Sequence, residues 1–188
     1  MSRNIRIGII GIMLTLNLLP AAANPYYVGF SLGWSSADED CDYNYNCDGN
    51  DTSFKFYGGS KFHENFAVEV SYQDLGLLTN KGSTITSTAE SSGINVSLLG
   101  IIPVMEVLDL YGKMGWMVWD TDYARFGAIN DTLADDGTDF TFGAGLSWRL
   151  EDKYQLRMEF ERLNKLGNEY TTGGANISVW SFGGAIHF

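Results

Sequence analysis

The chain has 188 residues, a net charge of −11 and a sequence pI near 4.4. So acidic a surface repels phosphate backbones and excludes nucleic acid as a partner. The length is that of one domain, and no stretch beyond the N-terminal leader holds the roughly 18 apolar residues that a spanning helix needs, although alternating β-strands escape that criterion.

The first residues read as an export signal. Arg3 and Arg6 precede a 13-residue, mostly apolar run, Ile7 to Leu19, which Pro20 breaks before Ala21-Ala22-Ala23. This order predicts a secretory leader over residues 1–23, with Asn24 opening a mature domain over 24–188. Removing the two leader arginines takes the charge to −13. The two cysteines, Cys41 and Cys47, lie close together in an acidic segment. Export to an oxidising compartment predicts a disulfide between them, and two thiols with no histidine nearby do not make a zinc shell.

Segments of about ten residues with period-two patterning then follow one another. The first, Tyr26 to Ser35, sets Val28, Phe30, Leu32 and Trp34 against Tyr27, Gly29, Ser31 and Gly33. The second, Thr52 to Phe62, opposes Phe54, Phe56 and Phe62 to Lys55, Tyr57, Gly59 and Lys61. After a tight turn the third opposes Phe66, Val68, Val70 and Tyr72 to Ala67, Glu69, Ser71 and Gln73. The fourth runs from about Ser92 to Ile102, where Pro103 is expected to end it. In the fifth, Leu108 to Asp120, Leu110, Met114, Trp116 and Val118 oppose Tyr111, Lys113, Gly115 and Met117. The sixth, Thr138 to Leu150, places Phe140, Phe142, Leu146 and Trp148 against Thr141, Gly143, Gly145, Ser147 and Arg149. The seventh, Tyr154 to Leu163, opposes Leu156, Met158 and Phe160 to Arg157, Glu159 and Glu161. The eighth closes the chain, with Trp180, Phe182, Ile186 and Phe188 opposite Ser181, Gly183, Ala185 and His187. Val179 blurs that pattern.

Connections alternate in length. Residues 36–51, 75–91, 121–137 and 164–175 read as long loops, and the other three as short turns. The pattern predicts an all-β fold: an eight-stranded antiparallel up-and-down transmembrane β-barrel with four long extracellular loops and short periplasmic turns. Side-chain volume decides which face is inside. An eight-stranded barrel has an interior that side chains just fill. Glycine, serine and a few long charged chains fit there, whereas bulky aromatics from every strand would overfill it. The aromatics therefore face lipid, with Phe62, Phe66, Tyr154 and Phe188 forming one interfacial girdle and Trp34, Phe54, Tyr72 and Phe140 the other. Lys55, Lys61, Glu69, Lys113, Arg149, Arg157, Glu159 and Glu161 form the predicted charge network of the lumen, in which opposite signs should pair.

These segments resemble the barrel domain of the outer membrane protein A family. Residues 27–35 (YVGFSLGWS), 66–76 (FAVEVSYQDLG), 108–119 (LDLYGKMGWMVW) and 157–160 (RMEF) are similar, in order, to its first, third, fifth and seventh strands. Terminal Phe188, with aromatics at alternating positions before it, is similar to the signal read by the barrel-assembly machinery. The resemblance implies a Gram-negative outer-membrane location, with outer-membrane lipid and lipopolysaccharide as surroundings and a monomeric state. It also implies a charged lumen network, with Glu69 and Glu159 matching two family carboxylates. The family's lysine in the fourth strand falls at Leu98 or Leu99, and its partner arginine has no counterpart. Lys113, Arg157 or Arg149 stand as substitutes. The family's best-known members continue into a peptidoglycan-binding domain, which this sequence does not.

No cofactor, metal or catalytic residue is expected. A serine mechanism needs a histidine beside the serine and an orienting carboxylate, and His63 and His187 are the only histidines. The acidic loop residues Asp38, Glu39, Asp40, Asp42, Asp48 and Asp51, with Asp131, Asp135, Asp136 and Asp139, read as solvated surface, with divalent-cation binding the sharper alternative. The expected role is that of a non-enzymatic envelope barrel. The alternatives are a small gated low-conductance porin-like channel, and surface adhesion or recognition through the extracellular loops.

Overall fold

The computed structural model describes residues 25–38, 46–48, 50–81, 85–127, 131–166 and 175–188. The predicted leader, Cys41 and the loop acids Glu39, Asp40 and Asp42 lie outside them, as do the side chains of Asp38, Cys47, Asp48 and Asp131. The elements are β1 (Tyr26–Asp38), β2 (Asn46–Asp48), β3 (Asn50–His63), β4 (Phe66–Lys81), β5 (Ile85–Met105), β6 (Leu108–Gly127), β7 (Asp131–Arg149), β8 (Tyr154–Leu166) and β9 (Ala175–His187). Apart from the short β2, each long strand pairs antiparallel with its chain neighbours. β1 also pairs with β9, from Tyr27↔His187 to Asp38↔Asn176, and so closes an eight-stranded barrel. Closure gives the backbone groups of the wall strand partners without leaving an edge in lipid.

Side chains alternate as the period-two pattern requires. Along β1, Tyr27, Ser31 and Ser35 are buried while Val28, Phe30, Leu32 and Trp34 stand on the outer wall. Exposed aromatics and aliphatics cover that wall on every barrel strand. Rings lean on cross-strand neighbours, as in Phe30–Phe56 at 4.8 Å and Phe160–Trp180 at 4.9 Å between centroids. Tyr26–Phe188 (6.4 Å) and Phe62–Phe66 (6.2 Å) lie at the end that carries the short turns and the start of β1. Phe54–Tyr72 (6.3 Å) lies toward the other end, so the two aromatic girdles fall where the sequence places them.

Three expectations are corrected. Two of the long connections are mostly strand: β4 and β5 leave only residues 82–84 between them, and β6 and β7 leave only 128–130. Ser and Thr made these stretches look like loops, but β-branched Ile85, Thr86 and Thr88 pair in register with Gly127, Phe126 and Ala124. Secondly, β5 continues past Pro103 to Met105. Pro103 takes the last regular pair, with Asp109, before a register shift, where a missing N–H is tolerated. Thirdly, Val179 is an inward residue, buried beside Ile177. One further irregularity shapes the wall. Gly76 adopts φ 80° at the bulge between Asp74 and Leu77, a conformation that disfavours a side chain, and its N–H donates to Asp74 Oδ1 at 2.8 Å. Leu75 is thereby turned fully inward, and Ser35 Oγ donates to its carbonyl at 2.6 Å.

Candidate functional site

The lumen is built in storeys, and one strand shows their order. Counting up β6 from its start, the inward residues are Asp109, Tyr111, Lys113, Gly115, Met117 and Trp119. In β8 they are Gln155, Arg157, Glu159, Glu161 and Leu163. Period two therefore stacks a polar mouth, an ionic centre and an apolar cap.

Three carboxylates and three cations form the centre, so it is neutral as a unit. Arg157 Nη1 donates to Glu69 Oε2 at 2.6 Å, Nη2 donates to Glu159 Oε2 at 2.9 Å, and Nε donates to Tyr111 Oη at 3.1 Å. Its guanidinium lies between the rings of Tyr57 (4.5 Å) and Tyr111 (4.6 Å), whose faces attract the cation. Lys113 Nζ lies 2.7 Å from Glu161 Oε1, 3.2 Å from Glu69 and 3.5 Å from Glu159. Lys55 Nζ donates to Glu161 Oε2 at 2.7 Å and also to Glu159. Tyr27 Oη donates to Glu69 at 3.0 Å and Tyr111 Oη to Glu159 at 2.6 Å. All six charged groups are buried, none more than 6% exposed. Charges so far from water are held only by dense mutual pairing, and each carboxylate here has at least two cationic neighbours. Glycine makes the room. Gly59, Gly143 and Gly145 stand directly across the ladder from Glu69, Glu161 and Glu159. A Cβ at Gly59 or Gly145 would strike the ring of Tyr27 or Tyr111.

The structure brings together six of the eight predicted network residues: Lys55, Glu69, Lys113, Arg157, Glu159 and Glu161. Lys61 and Arg149 share their inward parity but sit at strand ends. Arg149 has a side chain 46% exposed and pairs at 3.5 Å with Asp109 at the mouth, while Lys61 lies half-buried beside a cavity of about 20 Å³ lined also by Tyr27, Asp109, Tyr111 and Gln155. Position along the strand, not parity, separates the two groups. Of the proposed substitutes for the family lysine, Lys113 and Arg157 join the centre and Arg149 does not. Leu99 fills the inward position, and Lys55 of β3 supplies a third cation. The reading missed Asp109 and the three tyrosines, all of which inward parity could have flagged.

Above the centre, Leu75, Met117, Trp119, Leu163, Ile177 and Val179 form a buried apolar layer. Trp119 is the one among them with a polar handle, and its Nε1 donates to Asp139 Oδ2 at 2.6 Å. Asn95, Thr141 and Ser97 form a hydrogen-bonded belt, with Asn95 Nδ2 donating to Thr141 Oγ1 at 3.0 Å and Ser97 Oγ to Asn95 Oδ1 at 3.1 Å. Among the described residues no group of three or more His, Cys, Asp or Glu side chains is arranged to hold a metal ion. His63 lies exposed at the end of β3, and the His187 ring shares a hydrogen bond with Gln155 at 3.0 Å. Neither forms a nucleophile–base–carboxylate array with a described serine. The mouth cavity has room for about one water molecule.

Comparison with known proteins agrees with this architecture. The family model of the OmpA-like transmembrane domain matches residues 21–188. The chain is 26% identical over 156 residues to outer membrane protein A of Klebsiella aerogenes, an alignment covering 80% of this chain and 44% of the relative. It is 27% identical over 154 residues to that of Escherichia coli O157:H7, covering 80% and 43%. The chain thus spans less than half the length of these relatives. In fold it resembles the Neisserial surface protein A, at TM-score 0.64 and 14% identity, covering 87% of this chain and 97% of the other. It also resembles the Ail protein of Yersinia pestis, at TM-score 0.52 and 14% identity, covering 87% and 99%. With its closed eight-stranded wall, lipid-facing aromatics and ion-filled lumen, the chain belongs to the family of OmpA-like transmembrane domains and is an integral β-barrel of the Gram-negative outer membrane.

Proposed function

We propose that the protein is a non-enzymatic structural barrel of the envelope whose lumen is sealed. The observation that carries this reading is the stacking, among the described residues, of a neutral and buried six-charge network beneath a buried apolar layer. Reconstitution into planar bilayers tests it: the bilayer should stay silent, and discrete conductance steps would favour the channel alternative. Folding is checked in parallel by gel mobility, because a detergent-resistant barrel shifts on boiling.

Several accompanying readings belong to the same proposal. Residues 1–23 are removed on export and 24–188 form the barrel domain, so the mature protein should begin at Asn24 by N-terminal sequencing. Cys41 and Cys47 are joined, which non-reducing peptide mapping would detect. Phe188 serves as the signal for the barrel-assembly machinery, and deleting it should lower outer-membrane yield while leaving refolding in detergent intact. The barrel is a monomer surrounded by lipid and lipopolysaccharide, with no cofactor.

A further inference from the structure

The lower rim of the wall, where the short turns lie, is not uniform. Six of the eight barrel strands meet it with an exposed aromatic: Tyr26, Phe62, Phe66, Trp148, Tyr154 and Phe188, the last one residue beyond β9. β5 and β6 do not. Their lower ends carry the aliphatic Ile102, Val104, Leu108 and Leu110, and Tyr111 points inward. The turn that joins them has the same character. Pro103, Val104, Met105 and Val107 are exposed, and Glu106 is the one charge among them. The other two short turns are polar. Exposed His63 and Glu64 mark the β3–β4 turn, and exposed Glu151, Asp152 and Lys153 the β7–β8 turn.

The apolar band is also uneven in length. On the outer face of β5 no charge interrupts the wall from Ile94 to Val104, whereas on β8 the run from Tyr154 to Phe160 lies between Lys153 and Arg162. At about 3.4 Å per residue, that is roughly 34 Å along β5 and roughly 20 Å along β8. Aromatic rings with a polar edge suit the headgroup level. Aliphatic side chains have no such edge and gain most from leaving water altogether. The β5–β6 turn therefore continues, without a polar break, a wall that already faces lipid. Its backbone suits that place. Pro103 has no N–H to leave unsatisfied, and the Val107 carbonyl accepts from the Arg149 N–H at 2.8 Å. Glu106 limits the depth, because its carboxylate must reach water. We propose that the β5–β6 turn is a lipid anchor: Val104, Met105 and Val107 enter the acyl-chain region of the phospholipid leaflet at the short-turn end, while the other two short turns stay in water. One flank of the barrel is thereby seated deeper than the other. This goes beyond the structural role and does not depend on whether the lumen conducts.

The test uses the full chain refolded in phosphatidylcholine nanodiscs, with methionine methyls labelled for NMR and the Met105 signal assigned through Met105→Leu. Two relaxation agents probe its surroundings: a phosphatidylcholine carrying a nitroxide near the top of its acyl chain, and a water-soluble gadolinium chelate. The methionine introduced by Asp152→Met, in the polar β7–β8 turn, is the reference. The nitroxide should broaden Met105 at least threefold more than the reference, and the chelate should reverse that order. Val104→Asn with Val107→Asn should raise the chelate's effect on Met105 several-fold, while the gel shift on boiling shows that the barrel still folds. If Met105 follows the reference with both agents, the turn lies in water and the proposal fails. If Met105 is shielded from chelate and nitroxide alike, a second copy or another protein covers it, and the proposal fails equally. An unchanged chelate effect in the folded double variant would also overturn it.

Discussion

The ionic centre and the apolar cap occupy the same lumen, one storey apart, and fill it by opposite means. Arg157, Lys113 and Lys55 hold Glu69, Glu159 and Glu161 through directed contacts, among them Arg157–Glu69 at 2.6 Å and Lys113–Glu159 at 3.5 Å. Leu75, Met117, Leu163, Ile177 and Val179 fill the space above by shape alone. The contrast teaches that a narrow barrel needs its interior occupied more than it needs any one chemistry. The two solutions differ in how they fail. A salt-bridged storey fails by leaving an uncompensated charge, an apolar one by leaving a hole.

Breaking the ionic storey should have the largest effect. Arg157→Met leaves Glu69 and Glu159 each short of a cation and should cost about 3–5 kcal/mol, read from urea unfolding in vesicles by tryptophan fluorescence. Removing opposite charges together sharpens the point: Lys55→Met with Glu161→Gln should cost less than the sum of the singles, with a coupling of about 0.5–3 kcal/mol in a double-mutant cycle. Leu163→Ala in the cap should cost about 2–4 kcal/mol through its cavity. It should also keep the bilayer silent so long as the centre is intact, and conductance in this variant would mean that the cap alone seals the lumen. Gly145→Ala forces a methyl against Tyr111 and should cost about 1–3 kcal/mol, lowering the urea midpoint with the slope unchanged. Arg149→Ala, at the half-exposed mouth, should cost under about 1 kcal/mol by the same titration. A larger loss would make the mouth part of the network.

Much of this was legible in the sequence because period two is hard to disguise. Every barrel strand was found, and parity assigned inside and outside correctly, since Gly and Ser on one face against Phe and Trp on the other leave one volume solution. What parity could not supply was height. Lys61 and Arg149 face inward like Lys113, yet sit where water reaches them. The cap was obscured by equating the inside with polarity: Met117 had the right parity, but Val179 looked like a break in the pattern. The upper strand ends were hidden in another way. Asp131 to Gly137 and Ile85 to Glu90 have loop composition, and only cross-strand pairing, which one segment alone does not reveal, makes them β.

The central contacts also join parts of the chain that are made far apart in time. Lys55 meets Glu159 and Glu161 across separations of 104 and 106 residues. A growing barrel lacking β8 would carry Lys55 and Lys113 with Glu69 as their one carboxylate, and so would present net positive charge to any lipid that entered the gap. Closure and neutralisation are thus a single event. A barrel with a misplaced last pair of strands would keep that charge unpaired, which is costly inside a membrane.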